Sequence, residues 1–328
     1  MKVIIKWIGL FCITGMLYSS VSCAESSDIN IENPSEEIIF TVAPVTKSST
    51  IFENNNIFQT TAFYNREEES WNTDFIKSQK YIAEETVISD HGIWKSEHIC
   101  SWPNDNGGLT FFSWSVNRDR LDIKGNYTLS VSNETGISLF DFDISLNPDM
   151  DFLVADISED LHKKSQVITK FNRELSKIKI SAMTIDDYSS AKTITIDSVI
   201  IRNIAKIGSY QQCEVISNKL IEVKKWTISE TYNLKINDLS QINQITGRVQ
   251  KITDLSVIPQ TFRSDEQIEI FYTIKDLYSG ISEHIKESRH LRSIIGNEFK
   301  SGTVYLIEIK IGLDQILYDP CVGDWTIN

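Results

Sequence analysis

The stretch Tyr127-Thr128-Leu129-Ser130-Val131-Ser132 alternates apolar and polar side chains without a break. Successive strand residues point to opposite faces, so Tyr127, Leu129 and Val131 share one side of a sheet and the hydroxyls share the other. Asn133-Glu134-Thr135-Gly136 follows, a set that tolerates positive φ in a tight reversal, and 137–144 reads as the next strand. Outward from this pair, short apolar runs recur at 38–42, 81–88, 109–114, 152–157, 167–171, 175–182 and 193–204, with Asn106-Gly107-Gly108 as a further turn. About nine strands with no helix between them predict a two-sheet sandwich over 36–206.

A division is expected near 205–212, where Gly208, Ser209, Gln211 and Gln212 interrupt the pattern. The second block, 207–328, carries strand-like runs at 245–252, 268–277 and 304–311. Its 226–242 segment is compatible with a short helix, although β-branched residues are frequent there. Residues 282–295 set Ile285, Leu291, Ile294 and Ile295 among charges and read as a helix or a long loop. The expectation is a mainly β chain with one or two short helices. A length of 328 residues agrees with two domains, and 41% hydrophobic residues exclude a chain disordered throughout. Lys plus Arg number 32 against 45 Asp plus Glu, a net charge of −13 whose field repels nucleic acid.

Lys2 and Lys6 precede an apolar run at 7–17, and Ser19-Ser20-Val21-Ser22-Cys23-Ala24 supplies small residues for cleavage. This is the layout of a signal peptide over 1–24, followed by a polar linker over 25–35, and it directs the protein to secretion, the periplasm or the cell surface. Ser22-Cys23-Ala24 fits a small-x-small site that releases a secreted form; Val21-Ser22-Cys23 resembles a bacterial lipoprotein box that would place a lipid on Cys23. No later window is long and apolar enough to span a bilayer. Of the remaining thiols, Cys213 and Cys321 bracket the last third and are expected to form a disulfide in an oxidising compartment, leaving Cys100 over.

Two resemblances to known families follow from these segments. Gly125-Asn126-Tyr127-Thr128-Leu129-Ser130-Val131 and the closing run Thr193-Ile194-Thr195-Ile196-Asp197-Ser198-Val199-Ile200-Ile201 resemble strands of galactose-binding-like and carbohydrate-binding jelly-roll modules. That resemblance implies a jelly-roll-like sandwich over 36–206 and a carbohydrate ligand. Thr246-Gly247-Arg248-Val249, Phe271-Tyr272-Thr273-Ile274, Gly302-Thr303-Val304-Tyr305-Leu306-Ile307 and the late Cys321 resemble the netrin and metalloproteinase-inhibitor type of OB-fold barrel, implying such a barrel over 207–328. In those inhibitors an N-terminal cysteine chelates zinc through its free amine. Cys213 follows Gln212 inside the chain, so that chemistry does not carry over.

The sequence holds no nucleophile elbow, no phosphate loop, no GxGxxG and no HExxH. Asp141 and Asp143 sit at strand spacing and are the nearest approach to a paired-carboxylate hydrolase site. Asn147, Asp149 and Asp151, followed by Asp156, crowd oxygen donors at a turn in the way a structural calcium requires, and no other cofactor is indicated. Aromatics give the ligand hint. Trp71, Trp94 and Trp102 lie close in sequence with Trp114, which belongs to a core-like run, and Trp102 leads into Asn104-Asp105-Asn106. Indole faces stack on sugars, and amides beside a carboxylate hydrogen-bond hydroxyls. The expectation is an exported, non-enzymatic protein that binds a glycan or an extracellular protein through its first half and protein through its second. A secreted carboxylate hydrolase and a protease inhibitor acting through barrel loops are the alternatives.

Overall fold

The computed structural model describes residues 36–43, 57–116, 123–163, 165–236 and 244–325. The expected leader, the linker and Cys23 lie outside them. The first part of the chain forms β1 (Phe40–Val42), β2 (Ile57–Asn65), α1 (Trp71–Asp74), β3 (Gln79–Asp90), β4 (Ile93–Ser96), β5 (Gly108–Val116), β6 (Thr128–Ser132), β7 (Gly136–Asp143), β8 (Phe152–Ala155), β9 (Ser158–Leu161), β10 (Val167–Thr169) and β11 (Phe171–Arg173). The rest forms β12 (Ser176–Thr184), β13 (Lys192–Ile216), β14 (Lys219–Ile236), β15 (Gln250–Val257), β16 (Gln260–Thr261), β17 (Gln267–Asp276), β18 (Ser282–His290), α2 (Leu291–Ile295), β19 (Glu298–Phe299), β20 (Thr303–Ile311) and β21 (Ile316–Asp324).

All nine residues of β5 are buried. Alternation sends Leu109 and Phe111 into one core and Phe112 and Trp114 into another, so β5 separates two apolar layers. Its sheet runs β10-β1-β4-β3-β2-β5-β8-β11, with β9 also against β5. The two ends of that order, β10 and β11, are separated in the chain by Lys170 alone. The sheet therefore rolls round on itself and is barrel-like, with Phe40, Phe58, Trp102, Phe111 and Phe171 inside. Against the outer face of β5 and β8 pack β6, β7 and the later part of β13, enclosing Phe142, Phe152 and Tyr210.

The 25-residue strand β13 joins this body to the next. Residues 192–202 pair with β17, and 207–211 pair with β7, while β14 runs along the opposite edge from Val199 to Ile216. Two half-sheets thus share one spine. In the second body β15-β12-β20-β21 forms a sheet across from β18-β17-β13, and Ile178, Ile180, Val199, Ile201, Ile270 and Ile307 fill the space between. β12 and β20 are parallel, with Ile180 opposite Ile307.

The mainly β expectation holds, with sandwiched and barrel-like sheets and, among the described residues, two short α-helices. The 206/207 division falls inside β13, whose Lys206 is in mid-strand. The helix considered at 226–242 is strand β14 as far as Ile236, because its β-branched residues meet β13 in register. The segment 282–295 divides into strand β18 and the one-turn helix α2, whose Leu291 and Ile295 turn into the core.

Candidate ligand-binding cavity

A cavity of about 260 Å³ opens between the outer wall of the rolled sheet and the edge strand β6. Register builds it. Gln59 on β2 lies opposite Trp114 on β5, and Leu129, Ser130 and Val131 approach from β6, which among the described residues pairs with β7 alone. Tyr127 precedes β6 at the cavity's rim and is half-buried. Glu84 enters from a bulge in β3. The register between β2 and β3 shifts between Thr60 and Ala62, Glu84 takes φ 50, and its N–H donates to Thr61 Oγ1 at 3.1 Å. The bulge turns Glu84 outward beside the cavity instead of continuing the ladder.

The lining is aromatic and aliphatic with three polar side chains, Gln59, Glu84 and Ser130; Glu84 is its only charged group. Trp114 is 1% exposed, and its indole Nε1–H has no acceptor among the described residues. The nitrogen itself is enclosed. Chemically the cavity offers the Gln59 amide, the Ser130 hydroxyl and the Glu84 carboxylate beside aromatic and aliphatic side chains.

The residues expected to bind a ligand fall elsewhere. Trp71 and Trp102 are each 1% exposed and belong to cores. Trp102 packs edge-on to Phe111, and its backbone N–H donates to the Glu36 carbonyl at 2.9 Å. Trp94 is half-buried with its ring 5.2 Å from that of Phe58. Trp71 and Trp102 present no face to solvent, because large aromatics lose most by staying wet. Asn104, Asp105 and Asn106 are exposed, but Asp105 accepts the Tyr64 hydroxyl at 2.6 Å and the Gly107 N–H, and Asn106 donates to Glu67. The Asp105 bond and partial burial push the Tyr64 hydroxyl up to about 12, burial contributing most.

The four residues expected to hold calcium do not converge. Asn147 spends its amide on Lys124 and the Asp143 carbonyl, and Asp149 faces solvent. Asp151 is held by Arg173 at 2.8 Å, and Asp156 by Lys224, Lys170 and Asn172. Among the described residues no group of three or more acidic, His or Cys side chains could hold a metal. Asp143, one of the two carboxylates considered for hydrolysis, binds the N–H and hydroxyl of Ser145. Cys213 is buried and Cys321 is exposed on β21, and neither they nor Cys100 form a disulfide. The expected cross-link is therefore corrected: β13 already ties the two bodies together through backbone pairing. Burial pushes the Cys213 thiol up, away from thiolate chemistry.

Sequence reading passed over Gln59, Glu84 and Ser130. Ser130 is a polar position of an alternating strand, Gln59 lies in a strand whose polar run hides it, and a bulge leaves no mark in composition. Near the barrel–spine junction a second polar group gathers: Glu174 and Tyr210 are buried, and Lys224 bonds Asp156 and Glu222. Burial pushes the Glu174 carboxyl up to about 8. For Lys224 burial acts against the charge, but the bond to Asp156 and the neighbouring Glu222 and Glu174 outweigh it and raise its pKa.

A rolled sheet and a sandwich strung on one long hairpin, with a small mixed cavity on the side, define a mainly β protein. The sequence profile of the fimbrillin-like family matches residues 43–325, and the chain belongs to that family. A fimbrial protein from Bacteroides vulgatus shares the fold with a TM-score of 0.62 at 17% identity, covering 88% of this chain and 99% of its own. A candidate cell adhesion protein from Bacteroides uniformis follows at 0.51 and 16%, again over 88% and 99%. A search of curated proteins finds no match. The family match overturns both resemblances drawn from short motifs: neither the galactose-binding-like nor the netrin-type classification stands. Short apolar strands with a glycine at one end recur in many sheet folds, so such motifs do not separate families. A fimbrillin-like chain is a cell-surface or extracellular protein, the location read from the leader. Among the described residues no helix is long and apolar enough to cross a membrane.

Proposed function

We propose that the protein is a non-enzymatic adhesion protein of the cell surface that holds a glycan in the cavity beside β6. The observation that supports this reading is the lining of the cavity, which combines Tyr127, Trp114 and Leu129 with Gln59, Glu84 and Ser130. A sugar ring has an apolar face for the aromatic and aliphatic floor and hydroxyls for each polar group. The volume suits a single terminal residue. With Glu84 as the only charge, neutral sugars are favoured over sialylated ones, whose carboxylate would meet repulsion.

The test is a glycan array with the purified protein, followed by titration of the best neutral hits. Tyr127→Ala and Gln59→Ala are expected to weaken binding at least about tenfold each while leaving the melting midpoint nearly unchanged. Binding unaffected by either change, or seen only with sialylated glycans, would remove the cavity from the function.

A further inference from the structure

The cavity beside β6 changes character from mouth to floor. Glu84 is exposed at the mouth, while Gln59, Tyr127 and Ser130 are half-buried. The floor consists of aliphatic side chains almost closed off from water: Val116 is 2%, Val131 6% and Ile123 8% exposed. Alternation along the strands places them there. Val116 lies two residues beyond Trp114 and points to the same side of β5, and Val131 shares a face of β6 with Leu129. Gln59 is the cross-strand partner of Trp114, so its amide stands where the polar mouth meets the apolar floor.

This gradient sets requirements on a sugar. The C–H face of a ring suits the aromatic ring of Tyr127, nearer the mouth. Every edge of a plain hexose, however, ends in hydroxyls, and a hydroxyl pressed on Val116, Ile123 and Val131 loses its water and gains no partner. A methyl group gains there. Beside the floor, Gln59 offers both an amide N–H donor and a carbonyl acceptor, the complement of a second amide. An acetamido group carries these features in the required order: the methyl at its end, the amide behind it, and then the ring with hydroxyls for Ser130 and Glu84.

Building on the reading of this cavity as a glycan site, we infer that its ligand is an N-acetylated amino sugar, seated with the acetyl methyl on Val116, Ile123 and Val131 and the acetamido amide against Gln59. A sugar that ends in a methyl without the amide, such as fucose, fills the floor and leaves the Gln59 amide without its complement. A free amino sugar brings neither the methyl nor the second amide. Sialic acid has the acetamido group but adds a carboxylate to a cavity whose only charged lining residue is Glu84, so repulsion separates it from the neutral acetamido sugars. Seating one methyl in an apolar pocket is worth about tenfold or more in selectivity.

Saturation-transfer NMR on the purified exported protein tests the pose, with the methyl glycosides of N-acetylglucosamine and N-acetylgalactosamine as probes. Irradiating the protein methyls is expected to reach the acetyl methyl of the sugar most strongly. Titrations with the glycosides of glucose, galactose and fucose test the selectivity. At least one of the two acetamido sugars is expected to bind about tenfold or more tighter than its parent hexose and than fucose. Gln59→Leu keeps the size of the side chain without its amide and is expected to abolish the advantage over fucose. Val131→Thr sets a hydroxyl on the floor at nearly constant size and is expected to weaken the acetamido sugar more than the parent hexose. Acetamido sugars that bind no better than their parent hexoses, or saturation strongest on ring protons remote from the acetyl group, would overturn the inference and leave the glycan reading standing. An array on which no glycan binds would remove both.

Discussion

Glu174 is a buried residue whose ionisation ties stability to pH. Its side chain is buried, and burial raises its carboxyl from 4.5 to about 8. The unfolded chain loses this proton near 4.5 while the folded chain keeps it, so stability falls as pH rises through that window and levels off above 8. The expected outcome is that Glu174→Gln, which keeps the shape and removes the ionisation, gains on the wild type between pH 5 and 8, by a few kcal/mol (~2–4) at the top of the range. Urea titrations at several pH values check it, and a constant difference across the range would contradict it. Tryptophans teach a second lesson at this scale. Trp71 and Trp102 read as binding platforms in the sequence, yet they fill cores; Trp114, placed in the core from its sequence run, is in the core, and one side of it also borders the cavity. An indole's type and position in a run do not reveal whether a cavity is left beside it.

Among the elements, the β17–β18 turn shows how local chemistry fixes a surface. Asp276 accepts the N–H groups of Tyr278 and Ser279 and the Ser279 hydroxyl, and these bonds, the Ser279 backbone first, hold its carboxyl down to about 2. Asp276→Ala is expected to speed amide exchange at Tyr278 and Ser279 while leaving the global melting midpoint nearly unchanged, since the bonds lost lie within an exposed turn and its pair with Lys192. Exchange measured residue by residue would show it; unaltered rates would mean the turn stands without its carboxylate. The strands of the first half were legible wherever apolar residues alternate, as in β6, β7 and β12. β2 was not, because Gln59, Thr60 and Thr61 interrupt its pattern and Thr60 is buried through a 2.8 Å bond to Ser113 on the neighbouring strand. A buried hydroxyl satisfied by a partner 53 residues away leaves no local trace.

At the scale of the molecule, β13 belongs to two cores at once: Val199 and Ile201 lie in the sandwich, and Ala205, Tyr210 and Cys213 lie against the barrel. The two bodies are therefore expected to unfold together. Ile201→Ala in one core and Leu139→Ala in the other should each cost about 2–5 kcal/mol and each shift a single calorimetric transition. Two transitions, each moved by one variant only, would show that the spine does not couple them. By itself the sequence determined export, the mainly β class and most strand positions, because periodicity and leader chemistry are local properties of neighbouring residues. It did not determine where the halves divide, which aromatics stay wet, or that the acids at Asp151 and Asp156 answer Arg173 and Lys224 instead of a cation. Those depend on which distant strands meet, and side chains far apart in the chain acquire their partners only when the sheets close.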